Sequence, residues 1–448
     1  MSDTIVAICT PLAPSGIGVI RLSGKNAFTI ADKVFKSSQK IEDISGYSAL
    51  YGKVFDKDGV FDNVVALKFV SPHSYTGEDT VEFSCHGSVY ILKRLLYALI
   101  NSGARLAEGG EFTRIAFLNG KLDLTSAESV MQLVSANSKQ ANAMALSGVN
   151  GALYKQTEKI RNILTDVLAE ITAWVDFPDE GVANVENDVL LCSLNKAYAL
   201  LSEVIATSQN GMLISNGIKT AIIGKPNVGK STLMNLLSKE QRSIVTDIAG
   251  TTRDVIEETV NLGDVTLRLA DTAGIRSTDD IIEKIGVDMS QKKIDWADLV
   301  LAVFDLSRKL DEDDKKILSL IENKKHLVIL NKSDLQNAFS PDDIKGEKLI
   351  ISAKTGDTKE ICEKISSICG LADFNPDAPI ISNIRQLNCA ITSQKALYDA
   401  IETLKSGMPL DAVNVCLDES LSALLEMTGQ KASEVVIDKV FENFCVGK

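Results

Sequence analysis

Proline and aromatic residues are sparse in this 448-residue chain, with 9 Pro and 2 Trp, and no Ser-, Gln- or Gly-rich tract interrupts it. A long disordered or low-complexity region is thereby excluded, and the composition is that of a folded protein joined by short linkers. Histidine numbers only 3, and the 8 Cys, at 9, 85, 192, 362, 369, 389, 416 and 445, form no C-x-x-C pair. A Cys/His zinc site and a disulfide framework are both excluded on that count. No uninterrupted apolar run reaches the roughly 18–20 residues that span a bilayer. The opening Met1-Ser2-Asp3-Thr4 has no basic stretch ahead of an apolar one, so the expectation is a cytoplasmic protein without membrane or secretory segments. Positive charge is also in deficit, the net charge being −13. Any RNA contact must then be a local patch or be shared with a partner, and no DNA-binding role is expected.

Three textures follow one another. Residues 1–118 mix short β-like runs (Thr4–Cys9, Gly18–Leu22, Val64–Val70, Thr80–Cys85) with a helix near Val89–Ser102, an α+β pattern. From Ser126 to about Trp174 apolar residues recur at three- and four-residue steps, as at Ile160, Ile163, Leu164, Val167, Leu168 and Ile171, and Pro178 ends the stretch. Helical periodicity returns at Val189–Ser208, Ile384–Leu404, Ala412–Met427 and Ser433–Phe444. Between these blocks, about 217–372, β-branched runs alternate with helices (Lys219–Ile223, Val265–Ala270, Leu299–Phe304, Leu327–Leu330, Leu349–Ile351). That alternation predicts a mostly parallel, doubly wound sheet. The simplest architecture has segments 1–118, 119–216, 217–372 and 373–448, with a helical domain interrupted by an α/β insertion; two separate helical domains are the alternative.

The insertion carries the chemistry. Gly224-Lys225-Pro226-Asn227-Val228-Gly229-Lys230-Ser231 fits G-x-x-x-x-G-K-[ST] between a strand and the helix opened by Thr232. Glycines let backbone N–H groups converge on phosphate, and the helix N-terminus adds positive potential. Lys230 is expected at the β/γ-phosphates and Ser231 on Mg²⁺. Asp271-Thr272-Ala273-Gly274 ends the next strand and supplies a Mg²⁺-shell carboxylate and an amide for the γ-phosphate. Asn331-Lys332-Ser333-Asp334 follows a later strand, where the Asp334 carboxylate can accept from guanine N1–H and the exocyclic amine. Ser352-Ala353-Lys354 can support guanine O6. Four such elements in this order, each at a strand end, resemble the GTPase superfamily and make a GTP-binding, GTP-hydrolysing switch the expected activity. Gly250-Thr251-Thr252-Arg253-Asp254 lies where a switch loop belongs, with Thr252 placed to close on Mg²⁺. Ile275 stands directly after D-x-x-G, and an aliphatic side chain cannot orient the attacking water. Asp279, Asp280 and Glu283 are the acidic alternatives, among which spacing does not choose. Asn227 can help hold a monovalent cation beside the phosphates.

Several further blocks carry a wider resemblance. Thr4-Ile5-Val6-Ala7, Gly18-Val19-Ile20-Arg21-Leu22-Ser23-Gly24, Tyr75-Thr76-Gly77-Glu78-Asp79, Gly110-Glu111-Phe112-Thr113 and Phe117 to Leu124 stand in the first segment. Asp176-Phe177-Pro178-Asp179-Glu180 stands in the helical part, and the chain ends Phe444-Cys445-Val446-Gly447-Lys448. Together these resemble the family of tRNA-modification GTPases called MnmE or TrmE, over essentially the whole chain. Val446 stands where Ile is commoner in the family, and Thr125-Ser126 where Ala-Gln is frequent. The resemblance implies an N-terminal folate-binding and dimerisation domain, and a helical domain interrupted by an inserted Ras-like P-loop GTPase domain. It implies a homodimer working with the flavoprotein MnmG on the wobble uridine of certain tRNAs. A tetrahydrofolate derivative, 5-formyl or 5,10-methylene, is the implied one-carbon source. It implies that Arg21, Glu82, Lys121 and Lys448 hold the folate and makes Cys445 a candidate reactive thiol, with a packing role as the alternative. It further implies K⁺ ligation by Asn227, Thr246, the Ile248 carbonyl and Thr251, and water orientation by Glu283. Two competing readings stand beside it. One is a ribosome-assembly GTPase of the Era or EngA type, which would carry a basic KH-like C-terminal domain or a second P-loop; the sequence has neither. The other is a folate-binding scaffold with a merely regulatory G domain.

Overall fold

The computed structural model describes residues 3–176, 187–238, 258–269, 293–372, 374–442 and 444–448. Two compact units result, one of residues 1–131 with 421–448 and one of residues 132–420.

The first unit opens with β1 (Ile5–Ile8) and β2 (Ser15–Ser23), then α1 (Ala27–Val34), β3 (Phe35–Ser37), β4 (Ser48–Asp56), β5 (Gly59–Phe69), β6 (Thr80–Gly87), α2 (Val89–Asn101) and β7 (Arg105–Leu106). The helices α3 (Glu111–Leu118) and α4 (Leu124–Ser135) follow. The strands form one seven-stranded sheet in the order β3-β4-β5-β6-β2-β1-β7. Alternation along β6 turns Val81, Phe83 and Cys85 inward, where they meet Leu92, Leu95 and Leu99 of α2. The run Ile5-Val6-Ala7 has no polar alternate because β1 is covered on both faces. Val6 joins the α1/α2 layer, while Ile5 and Ala7 pack with Phe112 of α3.

The second unit begins with α5 (Lys139–Val149), α6 (Ala152–Asp176), α7 (Asn187–Ala206) and α8 (Ser208–Asn216). The periodic stretch that starts at Ser126 is therefore broken twice. Ser138 caps α5 by accepting from the Ala141 amide, and Gly151 takes a left-handed φ of 78° after it. Pro178 lies outside the described residues. The α/β part comprises β8 (Ile218–Ile223), α9 (Lys230–Ser238), β9 (Glu258–Leu262), β10 (Val265–Leu269), β11 (Leu299–Asp305), α10 (Glu312–Ile321), β12 (His326–Asn331), β13 (Lys348–Ile350) and α11 (Lys359–Cys369). Its six strands run β13-β12-β11-β8-β10-β9, all parallel except β9, which pairs antiparallel with β10. The alternate faces of β11 feed different cores: Leu299, Leu301 and Val303 pack with α9 and α11, and Val300, Ala302 and Phe304 with α10. Covering both faces of the sheet explains why β11 reads as a continuous apolar run from Leu299 to Phe304.

After the α/β part come α12 (Ile384–Lys405), α13 (Leu410–Thr428) and α14 (Glu434–Phe441). α7 packs against both α6 and α12, so helical segments before and after the sheet join, as the interrupted-domain architecture expects and two separate helical domains do not. Asn187–Asn216 is long and apolar enough to cross a membrane by length and composition. Within the unit its Leu190, Leu194, Ala197, Leu201 and Val204 are buried. Strands β3, β4, β7 and β9 and helices α1, α3 and α8 have no counterpart among the elements expected from the sequence, and α10 and α11 are expected only as unplaced helices between strands; most are short or carry mixed patterning. Phe83 is fully buried and stacks at a tilt on Phe35, centroids 5.8 Å apart. Phe83→Ala should destabilise the first unit's urea transition by about 3–5 kcal/mol and leave guanine-nucleotide affinity unchanged, read by fluorescence titration.

Candidate nucleotide-binding site

The loop Gly224–Gly229 joins β8 to α9 in a conformation that only some residues accept. Gly224 and Gly229 have φ of 149° and 98°, and Asn227 sits left-handed at 62°, a region that Asn tolerates better than most residues. A Cβ on Gly229 would overlap the Asn331 amide nitrogen, and one on Gly224 would overlap the Val303 carbonyl of β11. These glycines therefore bring the loop into contact with the neighbouring strand ends. Lys230 opens α9 with its Nζ donating to the carbonyls of Gly224 (2.8 Å) and Lys225 (2.6 Å). Burial, followed by the nearby positive charge of Lys293, pushes its pKa down from the ordinary lysine value. Ser231 and Thr232 are exposed in the first turn of α9, Asn227 is exposed on the loop, and Val228 is buried beneath it.

Asn331 at the end of β12 is buried and uses both ends of its amide. Its Nδ2 donates to the Val228 carbonyl (2.8 Å), and its Oδ1 accepts from the Ala353 amide (2.8 Å). One side chain thus ties the phosphate loop to the loop of Ser352, Ala353 and Lys354. Lys332 is left-handed at φ 66°, and its Nζ pairs with Asp305 Oδ2 at 2.6 Å. Asp334 is exposed; the Ser352 hydroxyl beside it, with Lys354 and Lys332 nearby, holds its carboxyl below the usual carboxylate range. An ionised carboxylate at this place accepts hydrogen bonds and cannot donate them, which matches the N–H edge of guanine. A cavity of about 490 Å³ lined by Ser333, Ile351, Ser352, Thr355 and Glu360 adjoins these loops.

Asp305, which holds Lys332, and Asp311, whose carboxylate pairs with Lys225, were absent from the sequence-based site. An aspartate ending a buried parallel strand is the signal that points to the first. Thr246, Ile248, Thr251, Thr252, Asp271, Thr272, Ala273, Gly274, Ile275 and Glu283 lie outside the described residues, as do Asp279 and Asp280.

A second polar site stands in the first unit. Arg21 of β2 lies directly opposite Glu82 of β6, with Nε to Oε1 at 2.8 Å. The guanidinium lies 5.1 Å from the Tyr75 ring centroid and 5.5 Å from that of Phe112, close enough for cation–π attraction. Its Nη1 is buried and has no hydrogen-bond partner among the described residues, a donor left for something else to satisfy. The C-terminal tail comes alongside. Val446 bridges to Gly109, the Gly110 amide donates to the Cys445 carbonyl at 3.3 Å, and the Cys9 thiol lies 3.4 Å from the Gly447 carbonyl. Burial raises the Cys9 pKa, with the charges of Arg21, Glu82 and Lys448 acting on it as well. Three of the four expected folate residues, Arg21, Glu82 and Lys448, therefore gather around Cys9. Lys121 instead donates to the Pro72 carbonyl (2.9 Å), on the loop that carries Tyr75. Cys445 is exposed.

Two expected outcomes follow from the nucleotide loop. Gly229→Ala should reduce guanine-nucleotide affinity by more than 100-fold in an equilibrium titration, since the added carbon meets Asn331 and a positive φ penalises any Cβ. Asn331→Ala leaves the buried Val228 carbonyl and Ala353 amide unpaired, at about 1–3 kcal/mol each, and should lower both nucleotide affinity and the unfolding midpoint.

The sequence relationships agree with this geometry. A family model described as the N-terminus of the GTP-binding protein TrmE matches residues 4–121, and one described as the MnmE helical domain matches residues 124–445. A tRNA modification GTPase MnmE from Alkaliphilus metalliredigens is 40% identical over 459 residues, covering 100% of both chains. Another from Acetivibrio thermocellus is 38% identical over 455 residues, covering 100% of this chain and 99% of that one. Partial structural likenesses include Aquifex aeolicus Era bound to GDP and AlF4⁻, 28% identical over 40% of this chain and 66% of that chain with a TM-score of 0.26. The G domain of the T. maritima FeoB iron transporter is 25% identical over 34% of this chain and 98% of that chain, also at 0.26; these two bear no weight in the assignment. With both family models in register along nearly all its length and the P-loop and guanine loops in place, the chain belongs to the MnmE family of tRNA-modification GTPases, and its α/β part is that of a GTP hydrolase.

Proposed function

We propose that this GTPase is K⁺-dependent and acts as a homodimer with the flavoprotein MnmG. Together they add an aminomethyl or carboxymethylaminomethyl group to C5 of the wobble uridine of certain tRNAs, in the cytoplasm. A tetrahydrofolate derivative, 5-formyl or 5,10-methylene, is the one-carbon donor. The observation that carries the folate part is the buried, unpartnered Arg21 Nη1 between two aromatic rings and opposite Glu82. A guanidinium with a free N–H fits an anionic or carbonyl acceptor, and a carboxylate fits the N–H donors of a pterin. Lys121 and the terminal Lys448 supply further positive charge for the glutamate carboxylates of such a ligand.

In the G domain, Lys230 neutralises charge on the β/γ-phosphates, and Asp334 selects guanine. Ser231 and Thr252 would hold Mg²⁺, their hydroxyl oxygens suiting a hard cation, and Asp271 would complete the charge balance there. Asn227, Thr246, Thr251 and the Ile248 carbonyl would hold K⁺, all through oxygen. Mg²⁺ and K⁺ supply positive charge to the transferring phosphoryl group when bound. Glu283 orients the attacking water and accepts its proton, the task Ile275 cannot perform. Hydrolysis then drives G-domain pairing and release, which moves the helical domain. Cys445, exposed on the tail, is the reactive thiol of this reading.

The test is GTP turnover by the full chain in K⁺ and in Na⁺ buffer, with and without Glu283→Ala. Turnover should fall at least tenfold in Na⁺ and again in the variant; equal rates in all four conditions would remove both the cation and the Glu283 role. Separately, Arg21→Ala should abolish binding of 5-formyl-tetrahydrofolate in calorimetry while leaving GTP turnover unchanged. Retained folate binding would sink the assignment of that site.

A further inference from the structure

The segment between β11 and α10 touches the nucleotide site at both ends. At its start, Asp305 Oδ2 accepts from Lys332 Nζ at 2.6 Å, while its Oδ1 accepts from the Ser307 amide (2.9 Å) and hydroxyl (2.6 Å). The next amide, of Leu306, donates to the Asn331 carbonyl at 3.0 Å. At its far end Asp311 divides its carboxylate. Oδ1 caps α10 by accepting from the Asp313 and Asp314 amides (3.1 and 3.2 Å). Oδ2 pairs with Lys225 and with Arg308 Nη1 at 3.3 Å. Arg308 is itself anchored through Nη2 to the fully buried Asp314 at 2.8 Å. The Lys225 carbonyl is one of the two that hold the Lys230 ammonium. A chain of polar contacts therefore runs from the guanine loop through Asp305, along residues 305–311, and through Asp311 and Lys225 to the phosphate-binding lysine.

We propose that residues 305–311 act as a release clasp on the nucleotide site, with Lys225 and Asp311 as its opening latch, so that the latch sets the rate at which guanine nucleotide leaves. The physical reasoning rests on which contact is weakest. Asp305 is nearly buried and satisfied by three donors, and Arg308 is locked to a buried carboxylate. Of the two ion pairs that tie this segment to the nucleotide loops, Lys225–Asp311 has the more exposed carboxylate, 47% for Asp311 against 9% for Asp305. A contact in high dielectric is the first to yield, and it is the one that salt weakens. When it opens, the P-loop at Lys225 loses its tie to α10, and the carbonyl that helps hold Lys230 gains freedom. Neither residue needs to touch the nucleotide for this; both are positioning residues. The inference rests on the nucleotide site and on no part of the K⁺ or folate reading.

The experiment is stopped-flow release of mant-GDP from the full chain, chased with unlabelled GDP. Lys225→Gln and Asp311→Asn are the variants; Asn caps a helix as well as Asp does, so α10 keeps its start, and circular dichroism confirms an unaltered melt. Each variant should release mant-GDP roughly two- to five-fold faster, the range an exposed ion pair supports. The double variant should be no faster than either single one. Raising the salt so that the Debye length falls from ~10 Å to ~3 Å should speed release more in the unaltered chain than in Lys225→Gln, the screening of the nucleotide's own phosphates being common to both. Unchanged release in both single variants, additive effects in the double, or a salt dependence as steep in Lys225→Gln as in the unaltered chain would each overturn the clasp. If the unaltered chain bound no mant-GDP, the nucleotide site itself would fall and the clasp with it; binding with unmoved release removes the clasp alone.

Discussion

The buried amide of Asn331 is the contact on which the nucleotide site depends. Among the described residues it is the side chain that joins a P-loop carbonyl, that of Val228, to the amide of the Ala353 loop. A side-chain amide suits the place because it donates at one end and accepts at the other. Aspartate could only accept there, and leucine could do neither. The surrounding apolar strands lower the local dielectric, which strengthens both bonds and makes the loss of either expensive. Gly229 owes its identity to the same amide, since no Cβ fits beside Asn331.

The polar site of the first unit follows a different logic. Its parts are held by cross-strand register rather than by loop shape. Arg21 and Glu82 face each other because β2 and β6 pair antiparallel with Ser23 opposite Thr80, and a slip of one residue would send both side chains to the covered face. The aromatic rings of Tyr75 and Phe112 then fix the guanidinium plane. The hydroxyl of Tyr75 is itself held 2.8 Å from Thr113 Oγ1 on α3. The tail reaches this site through small residues. Gly447 has φ 102°, and a Cβ on it would come within 2.7 Å of the Ile8 carbonyl. The penultimate glycine is thus a requirement of close approach.

Much of the chemistry was legible in the residues alone. The P-loop, the Asn331–Asp334 loop and the Ser352–Lys354 loop are local motifs whose function lies in backbone shape, and backbone shape is encoded by neighbours in sequence: glycines at 224 and 229, a strand before, a helix after. The parallel sheet was legible because β11 up to Phe304 and β12 from Leu327 to Leu330 are unbroken apolar runs and β8 closes on Ala221-Ile222-Ile223, and the helices because α6 and α12 repeat at helical spacing. The family blocks at the two ends of the chain likewise stand as short contiguous strings.

What the residues alone did not disclose are the partnerships between distant positions. That Asp305 serves Lys332 and Asp311 serves Lys225 depends on β11 lying between β8 and β12 in the sheet, and those pairs are 27 and 86 residues apart. That residues 421–448 pack with the N-terminal unit, with Phe441 and Phe444 beside Leu124, depends on a helix face meeting a surface encoded some three hundred residues earlier. Sequence alone determined the local chemistry: a guanine-nucleotide loop set, a parallel sheet to display it and a family tail. Tertiary structure alone decided which charges are paired, which donor of Arg21 is left over and where the tail ends, because each is settled by through-space distance, burial and strand register, and none of these has a signature at a fixed spacing along the chain.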